Sequence, residues 1–207
     1  MPDGPEELDR RDPAARAPWD AAPPARIAHL SAADEADYLA MTRASRDYHR
    51  PWTHPAVDRA GFAALLARAA RADVEALVVR AAGDDAIVGV FVLSQIADRD
   101  VRSAFLGYYG SALHARRGYM TAGMSLTLEH AFETVGIERV EANIQPRNAR
   151  SLALARRCGF RREGLTPRYL KIAGQWRDHE RWTLRADEWR EVRRRSLAGA
   201  GGAAPSA

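Results

Sequence analysis

The chain has 207 residues, 46% hydrophobic and 28% charged, a balance that fits one folded domain with a sizeable core and excludes wholesale disorder. The formal net charge of +4 is mild, and Lys171 is the single lysine among 31 basic residues, so the arginine content reads as compositional bias and not as a nucleic-acid footprint. One cysteine excludes an internal disulfide, and no stretch approaches the ~20 apolar residues that cross a bilayer.

The opening MPDGPEELDRRDPAARAPWDAAPPAR mixes proline, alanine and both charges, so residues 1–25 are expected to form a disordered tail. It lacks the apolar run of a secretory signal, and a cytoplasmic location is expected. RIAHL reads as a strand, and SAADEADYLAMTRAS as a helix capped by Ser31 with Asp34 and Glu35 in its first turn. HRPWTHP is a proline-bounded loop. VDRAGFAALLARAARA predicts a second helix with Phe62, Leu65, Leu66 and Ala69 on one face.

Three β-rich runs follow, EALVVRAA, AIVGVFVLSQI and SAFLGYYGSAL, and the short turns between them predict an antiparallel meander. GYMTAGMSLTLEHAFETVG predicts a helix ended by Gly136, IERVEANIQ a strand, and PRNARSLALARRCG a helix. FRREGLTPRYLKIAGQWRDHERWTLR predicts two strands around Ala173 and Gly174. The arginine-rich RWTLRADEWREVRRRS is broken by acids and reads as a solvated helix. The order βααβββαβαββ gives an α/β (α+β) domain over residues 26–190, a mixed, mostly antiparallel sheet of seven strands flanked by about four helices. Residues 191–207 form a basic and then Gly/Ala-rich tail.

Two places could carry chemistry. In LGYYGSALHARRGYMTAG a strand gives way to a basic turn and then to a helix near Tyr119. Free N–H groups at such a helix start favour an anion; Arg116 and Arg117 add charge, and Gly118 lets the backbone come close to a phosphate. A plain strand-to-helix turn is the other reading, and neither a P-loop nor a dinucleotide fingerprint is present. In QPRNARSLALARRCGF, Ser151, Leu154, Ala155 and Cys158 share one helical face, which Leu154 turns inward. Asn148 is a natural N-cap, and the alternative to a site is that it only caps while Ser151 bonds a nearby carbonyl. Cys158 lies in the last turn, where the helix dipole disfavours a thiolate, and reads as a small buried hydrophobe.

The pattern N-x-x-S-x-x-L-x-x-x-x-G-F-x-x-E-G from Asn148 to Gly164 resembles the second conserved block of the GNAT N-acetyltransferase superfamily. GYMT opening a helix after LGY resembles that superfamily's pyrophosphate loop. VEANIQPRN, GFRREG, YLKIAGQWRDH and RPW are similar to the ribosomal-protein-alanine N-acetyltransferases of the Rim type, over roughly residues 26 to 190. The resemblance implies a GNAT-like sheet splayed between its fourth and fifth strands, with acetyl-CoA lying in the gap and no metal. Backbone N–H groups from Arg116 through Arg117, Gly118, Tyr119 and Met120 to Thr121 would hold the pyrophosphate. Strand backbone around Leu106 and Tyr108 would pair with the pantetheine arm, Asn148 would bond it, and Ser151 would protonate the leaving thiolate. Ala115 departs from the superfamily's usual Gln or Arg, and Met120 replaces its last small residue.

Acetyl transfer needs a neutral amine, and a protein α-amine, with a pKa of about 7.7–8.0, offers more of it near pH 7 than a lysine at about 10.4. The resemblance therefore implies acetylation of the N-terminal α-amine of a protein, typically a ribosomal one, by direct attack in a ternary complex. A small amine or antibiotic is the alternative acceptor, and a non-catalytic ribosome- or RNA-associated module a second alternative. No residue stands out as the base. Glu141 shares one face of its strand with Asn143, which stands where some superfamily members keep a glutamate; Glu141, Asp178 and His179 are the base candidates, acting directly or through water, and Asn143 is a catalytic candidate by its position alone. Trp52 and Trp176 either form the acceptor side or belong to the core. Expected partners are acetyl-CoA and the acceptor, without a membrane or specific nucleic acid, in a monomer or homodimer.

Overall fold

The computed structural model describes residues 21–97 and 100–200, with side chains through residue 194, so most of the expected N-terminal tail and the end of the C-terminal one lie outside the described residues. Strands β1 (Ala25–His29), β2 (Val74–Ala81), β3 (Ile87–Ala97), β4 (Ser103–Gly110), β5 (Arg139–Ile144), β6 (Arg161–Ile172) and β7 (Gln175–Arg185) join in one sheet of order β1-β2-β3-β4-β5-β7-β6. Strands β2, β3 and β4 form the expected antiparallel meander, β1 adds to its edge antiparallel to β2, β4 and β5 are parallel, and β7 runs antiparallel to both β5 and β6.

Strand alternation sends apolar side chains to both faces of the sheet, building two cores. On one face Val79, Phe91, Leu93, Val140 and Ala142 meet α4 (Tyr119–Glu129) and α5 (Ala149–Arg157). On the other, Val78 and Val90 meet Tyr38 and Leu39 of α1 (Glu35–Ala44) and Phe62 of α3 (Arg59–Ala69). Each large side chain buried in these layers contributes roughly 1.5–3 kcal/mol. The close seating of α4 depends on Gly123, where a Cβ would lie 2.7 Å from both Phe91 Cε2 and Val79 Cγ2.

A buried ion pair locks α1 to the sheet. Arg80 of β2 donates to Asp34 Oδ1 at 2.6 Å and to Asp37 Oδ2 at 2.9 Å. Ser31 is the N-cap of a 3₁₀ turn, Ala32–Asp34, that leads into α1, whose own N-cap is Asp34; Ser31 donates its N–H and its hydroxyl to Asp34 Oδ2 at 2.8 Å each. Burial works against the Asp34 carboxylate, but the hydrogen bonds from Arg80 and Ser31 outweigh it and hold its pKa below the usual range.

Three expectations need correction. Among the described residues six α-helices flank the sheet where about four were expected: α2 (Arg46–His49) lies between the first expected helix and the HRPWTHP loop, and α6 (Ala186–Ala200) is the sixth. The helix expected through residue 135 gives up α-geometry after Glu129 for a π turn, His130–Thr134, which sets Phe132 into the core. Finally, α6 is a docked helix and not a solvated one. Trp189 is buried against Phe132 with ring centroids 5.5 Å apart, because a tryptophan outweighs the surrounding charges in deciding which face turns inward. Among the described residues no helix is long and apolar enough to cross a membrane.

Candidate active site

The parallel pair at the centre of the sheet is short. β4 meets β5 only at Ser103–Arg139, Ala104–Val140 and Phe105–Glu141. Beyond those rungs β5 stays with β7 to the end, pairing Asn143 with Arg181 and Ile144 with Glu180, while β4 stays with β3 up to Gly110. The two strands therefore diverge as a V. Peptide groups on the β4 edge from Leu106 onward have no strand opposite them, an arrangement that invites an extended ligand to complete the ladder.

The mouth of the V opens into a cleft of about 630 Å³, walled by the ends of α2 and β4, the loop after β4, and the starts of α4 and α5. Gly118 is the N-cap of α4 at φ 89°, and Arg116 two residues earlier also has a left-handed backbone at φ 62°. Among the described residues none accepts from the N–H groups of Gly118, Tyr119 or Met120. Those donors, a helix dipole and the adjoining left-handed turn make a main-chain cradle of the kind that can accept an anion. Arg116, Gly118, Tyr119, Met120 and Thr121 all line the cleft; Arg117 does not.

Asn148 caps α5 as expected, with Oδ1 accepting from Ser151 N at 3.2 Å. Both residues also line the cleft, so capping and facing a ligand are compatible. Tyr108 spans the gap from β4, its hydroxyl donating to Ser151 O at 3.2 Å, and burial raises its pKa well above the usual phenol range. That proton stays on at any ordinary pH and ties the start of α5 to β4. Leu106 points into the core, leaving only its backbone to the gap. Cys158 is buried outside the cleft, and burial pushes its thiol up to about 12, so it packs as expected.

A second cavity of about 490 Å³ is lined by Trp52, Gln145, Arg147, Trp176, Arg177 and Asp178, among others. Trp52 lines both cavities, and Trp176 is 52% exposed; among the described residues the buried tryptophans are Trp182 and Trp189. Of the two readings left open for Trp52 and Trp176, the structure therefore excludes the core. Asp178 accepts from Arg168 N at 2.8 Å. His179 is buried outside both cavities; burial lowers its pKa and its Nδ1 lies 3.0 Å from Arg177 O. Glu141 and Asn143 do share a face, Asn143 Nδ2 donating to Glu141 Oε1 at 3.0 Å, but neither lines either of these two cavities, and Arg139 lies 3.5 Å from Glu141.

The cleft also contains residues that no sequence pattern singled out. His49 of α2 is buried, with Nε2 2.7 Å from Gly110 O, and burial lowers its pKa. Tyr109 shares a 2.8 Å hydroxyl contact with Tyr38. Arg150 stacks on Tyr48 with its guanidinium 4.8 Å from the ring centroid, and Arg157 reaches Thr121 Oγ1 at 3.5 Å. In an arginine-rich chain the last two are indistinguishable from surface residues until α5 is placed beside α4.

A sheet split at its single parallel pair, with an anion cradle at the mouth of the split, defines an acyltransferase-type α/β domain. The chain belongs to the GNAT acetyltransferase family: the model for the acetyltransferase (GNAT) domain matches residues 26–161. Among curated proteins it is 35% identical over 99 residues to the probable N-acetyltransferase YjcK of Bacillus subtilis, covering 48% of this chain and 55% of that protein. It is 34% identical over 103 residues to the [ribosomal protein uS5]-alanine N-acetyltransferase of Escherichia coli, covering 50% and 53%. The matches thus span about half the length of these curated relatives. Among solved structures, Mycobacterium smegmatis RimJ in complex with CoA-disulfide superposes with a TM-score of 0.73 at 27% identity, over 86% of this chain and 89% of that one.

Proposed function

We propose that the protein is an acetyl-CoA-dependent N-acetyltransferase that acetylates the N-terminal α-amine of a protein, a ribosomal protein being the target its relatives suggest. The observation that carries this reading is the V between β4 and β5, which opens on one side to the anion cradle and meets, through Trp52, a second cavity of different character. A two-substrate transfer needs two such compartments joined at the reacting centre.

In this reading the N–H groups of Gly118, Tyr119 and Met120 bind the pyrophosphate, and Arg116, Arg150 and Arg157 supply countercharge along the cleft. The free β4 edge after Phe105 pairs with the amides of the pantetheine arm, which holds the thioester carbonyl against a backbone donor and polarises it. Asn148, whose Oδ1 is engaged at the cap, has its amide N–H₂ left for the arm. Ser151 donates its hydroxyl proton to the departing sulfur as the C–S bond breaks and regains the proton that the attacking amine loses on forming the amide, directly or through water. Glu141 and Asn143 would act only through water, since neither lines either of the two cavities described. An α-amine enters neutral in useful amount, so catalysis rests on positioning and carbonyl polarisation.

The second cavity favours a peptide over a polyamine. Its lining residues include two arginines, Arg147 and Arg177, and one carboxylate, Asp178, already bonded to a backbone N–H. A polycation would meet net positive charge there, whereas two tryptophans and mixed charges suit a peptide end.

The test measures CoA thiol release with acetyl-CoA against N-terminal peptides, lysine-containing N-blocked peptides, spermidine and other small amines. Turnover is expected with free N-termini at a kcat/KM at least ~10-fold above spermidine. Preference for spermidine or another small amine would move the acceptor class, and acetyl-CoA binding without release to any amine would remove the catalytic reading.

A further inference from the structure

At the end of the sheet away from the cleft, three residues far apart in sequence converge. His29 is the last residue of β1, Glu75 lies near the start of β2, and His130 opens the π turn after α4. His130 Nε2 lies 2.5 Å and His29 Nε2 3.6 Å from the same oxygen, Glu75 Oε2. The two imidazoles meet edge to face with centroids 5.5 Å apart, and the donor atoms all lie within 4.8 Å of one another. Since Tyr119 opens α4 in the cleft and His130 follows its last residue, about 16 Å of helix separates the two places.

We propose that His29, Glu75 and His130 form a binding site for one borderline divalent cation, zinc foremost, which ties β1, β2 and the helical segment after α4 together. Two imidazole nitrogens and one carboxylate oxygen are a three-ligand zinc set, with water as the fourth ligand. Donors around a tetrahedral zinc at about 2.0–2.1 Å stand roughly 3.3 Å apart, and the spacings here fall on both sides of that value. His130 and Glu75 need to part by under an ångström, and the 65% exposed His29 side chain is free to swing inward and leaves room for water. Nitrogen donors favour Zn²⁺, Co²⁺ or Ni²⁺ over Mg²⁺ and Ca²⁺, which require oxygen. The π turn is a second pointer: such single-turn insertions concentrate at functional sites, and this one starts at the ligating histidine. The ion fills no place in acetyl transfer. Its effect is stabilisation of the fold by linkage, because the unfolded chain has no preformed site.

The test uses full-length, tag-free protein stripped with EDTA, titrated calorimetrically with ZnCl₂ and with MgCl₂, and melted with and without each ion. One Zn²⁺ per chain and a raised melting temperature are expected, with no response to Mg²⁺. His29→Ala, His130→Gln and Glu75→Gln should each weaken zinc binding by at least about tenfold, while acetyl-CoA affinity stays unchanged. His29→Ala is the deciding variant, since an exposed side chain can be truncated without loss of fold. Absence of stoichiometric uptake, equal uptake by His29→Ala, or an equal response to Mg²⁺ would overturn the proposal.

Discussion

Gly118→Ala tests whether the anion cradle is held by backbone shape. Gly118 adopts φ 89°, and a Cβ there would lie 2.9 Å from Pro23 Cδ. Holding an L-residue in left-handed geometry costs roughly 1–2 kcal/mol, and forcing a methyl against a rigid ring adds about 1 kcal/mol more. If the turn keeps its shape, the protein loses about 2–3 kcal/mol, a fall of roughly 5–10 °C in melting temperature at this size. If the turn relaxes instead, the N–H groups of Gly118, Tyr119 and Met120 no longer converge. Loss of one charge-assisted hydrogen bond then weakens acetyl-CoA binding about tenfold to a hundredfold. Differential scanning calorimetry and acetyl-CoA titration on the same preparation separate the two outcomes. Wild-type melting together with wild-type affinity would refute the reasoning.

Ser151→Ala is expected to lower kcat in the thiol-release assay while acetyl-CoA Kd stays put, and unchanged turnover would remove Ser151 from the mechanism. Trp176→Ala, truncating an exposed ring of the second cavity, should raise KM for the acceptor with little change in kcat; a change confined to acetyl-CoA affinity would contradict the assignment. Arg80→Ala leaves Asp34 buried without its cation, and denaturant unfolding should show a loss of about 3 kcal/mol, the low end for a broken buried pair, because Ser31 still donates to the carboxylate. Glu163 supplies the pH dependence. Paired hydrogen bonds from Arg139, aided by Thr183, hold its carboxyl near about 2, below the unfolded value. Its contribution is therefore complete above about pH 4.5 and drains away as pH falls toward 2. Glu163→Gln should flatten that stretch of the stability curve, and an unchanged acid limb would count against the ion pair.

How much of the site was legible depended on how local its signals are. Ser151, Leu154, Ala155 and Cys158 could be placed on one inward face from their spacing, and burial of the last three agrees. Asn148 could be read as a cap, and Gly118 as the residue that opens a helix, because each follows from the chemistry of its own turn. Arg150, Arg157 and His49 could not. Their place in the cleft depends on α5 lying beside α4 and on α2 reaching Gly110, contacts made across the fold.

The sequence by itself determined the seven strands, most of the helices and the strand-to-helix turn at Gly118, since periodicity, capping and turn chemistry act within a few residues. It also marked the family through the block from Asn148 to Gly164. Only the tertiary structure decided that β7, and not β6, lies against β5, and that β4 leaves β5 after three rungs. Both depend on hydrogen-bond registry between segments tens of residues apart. The same is true of the Trp52 junction and of the convergence of His29 and His130 on Glu75, because proximity of that kind is a property of the packed sheet, invisible along the chain.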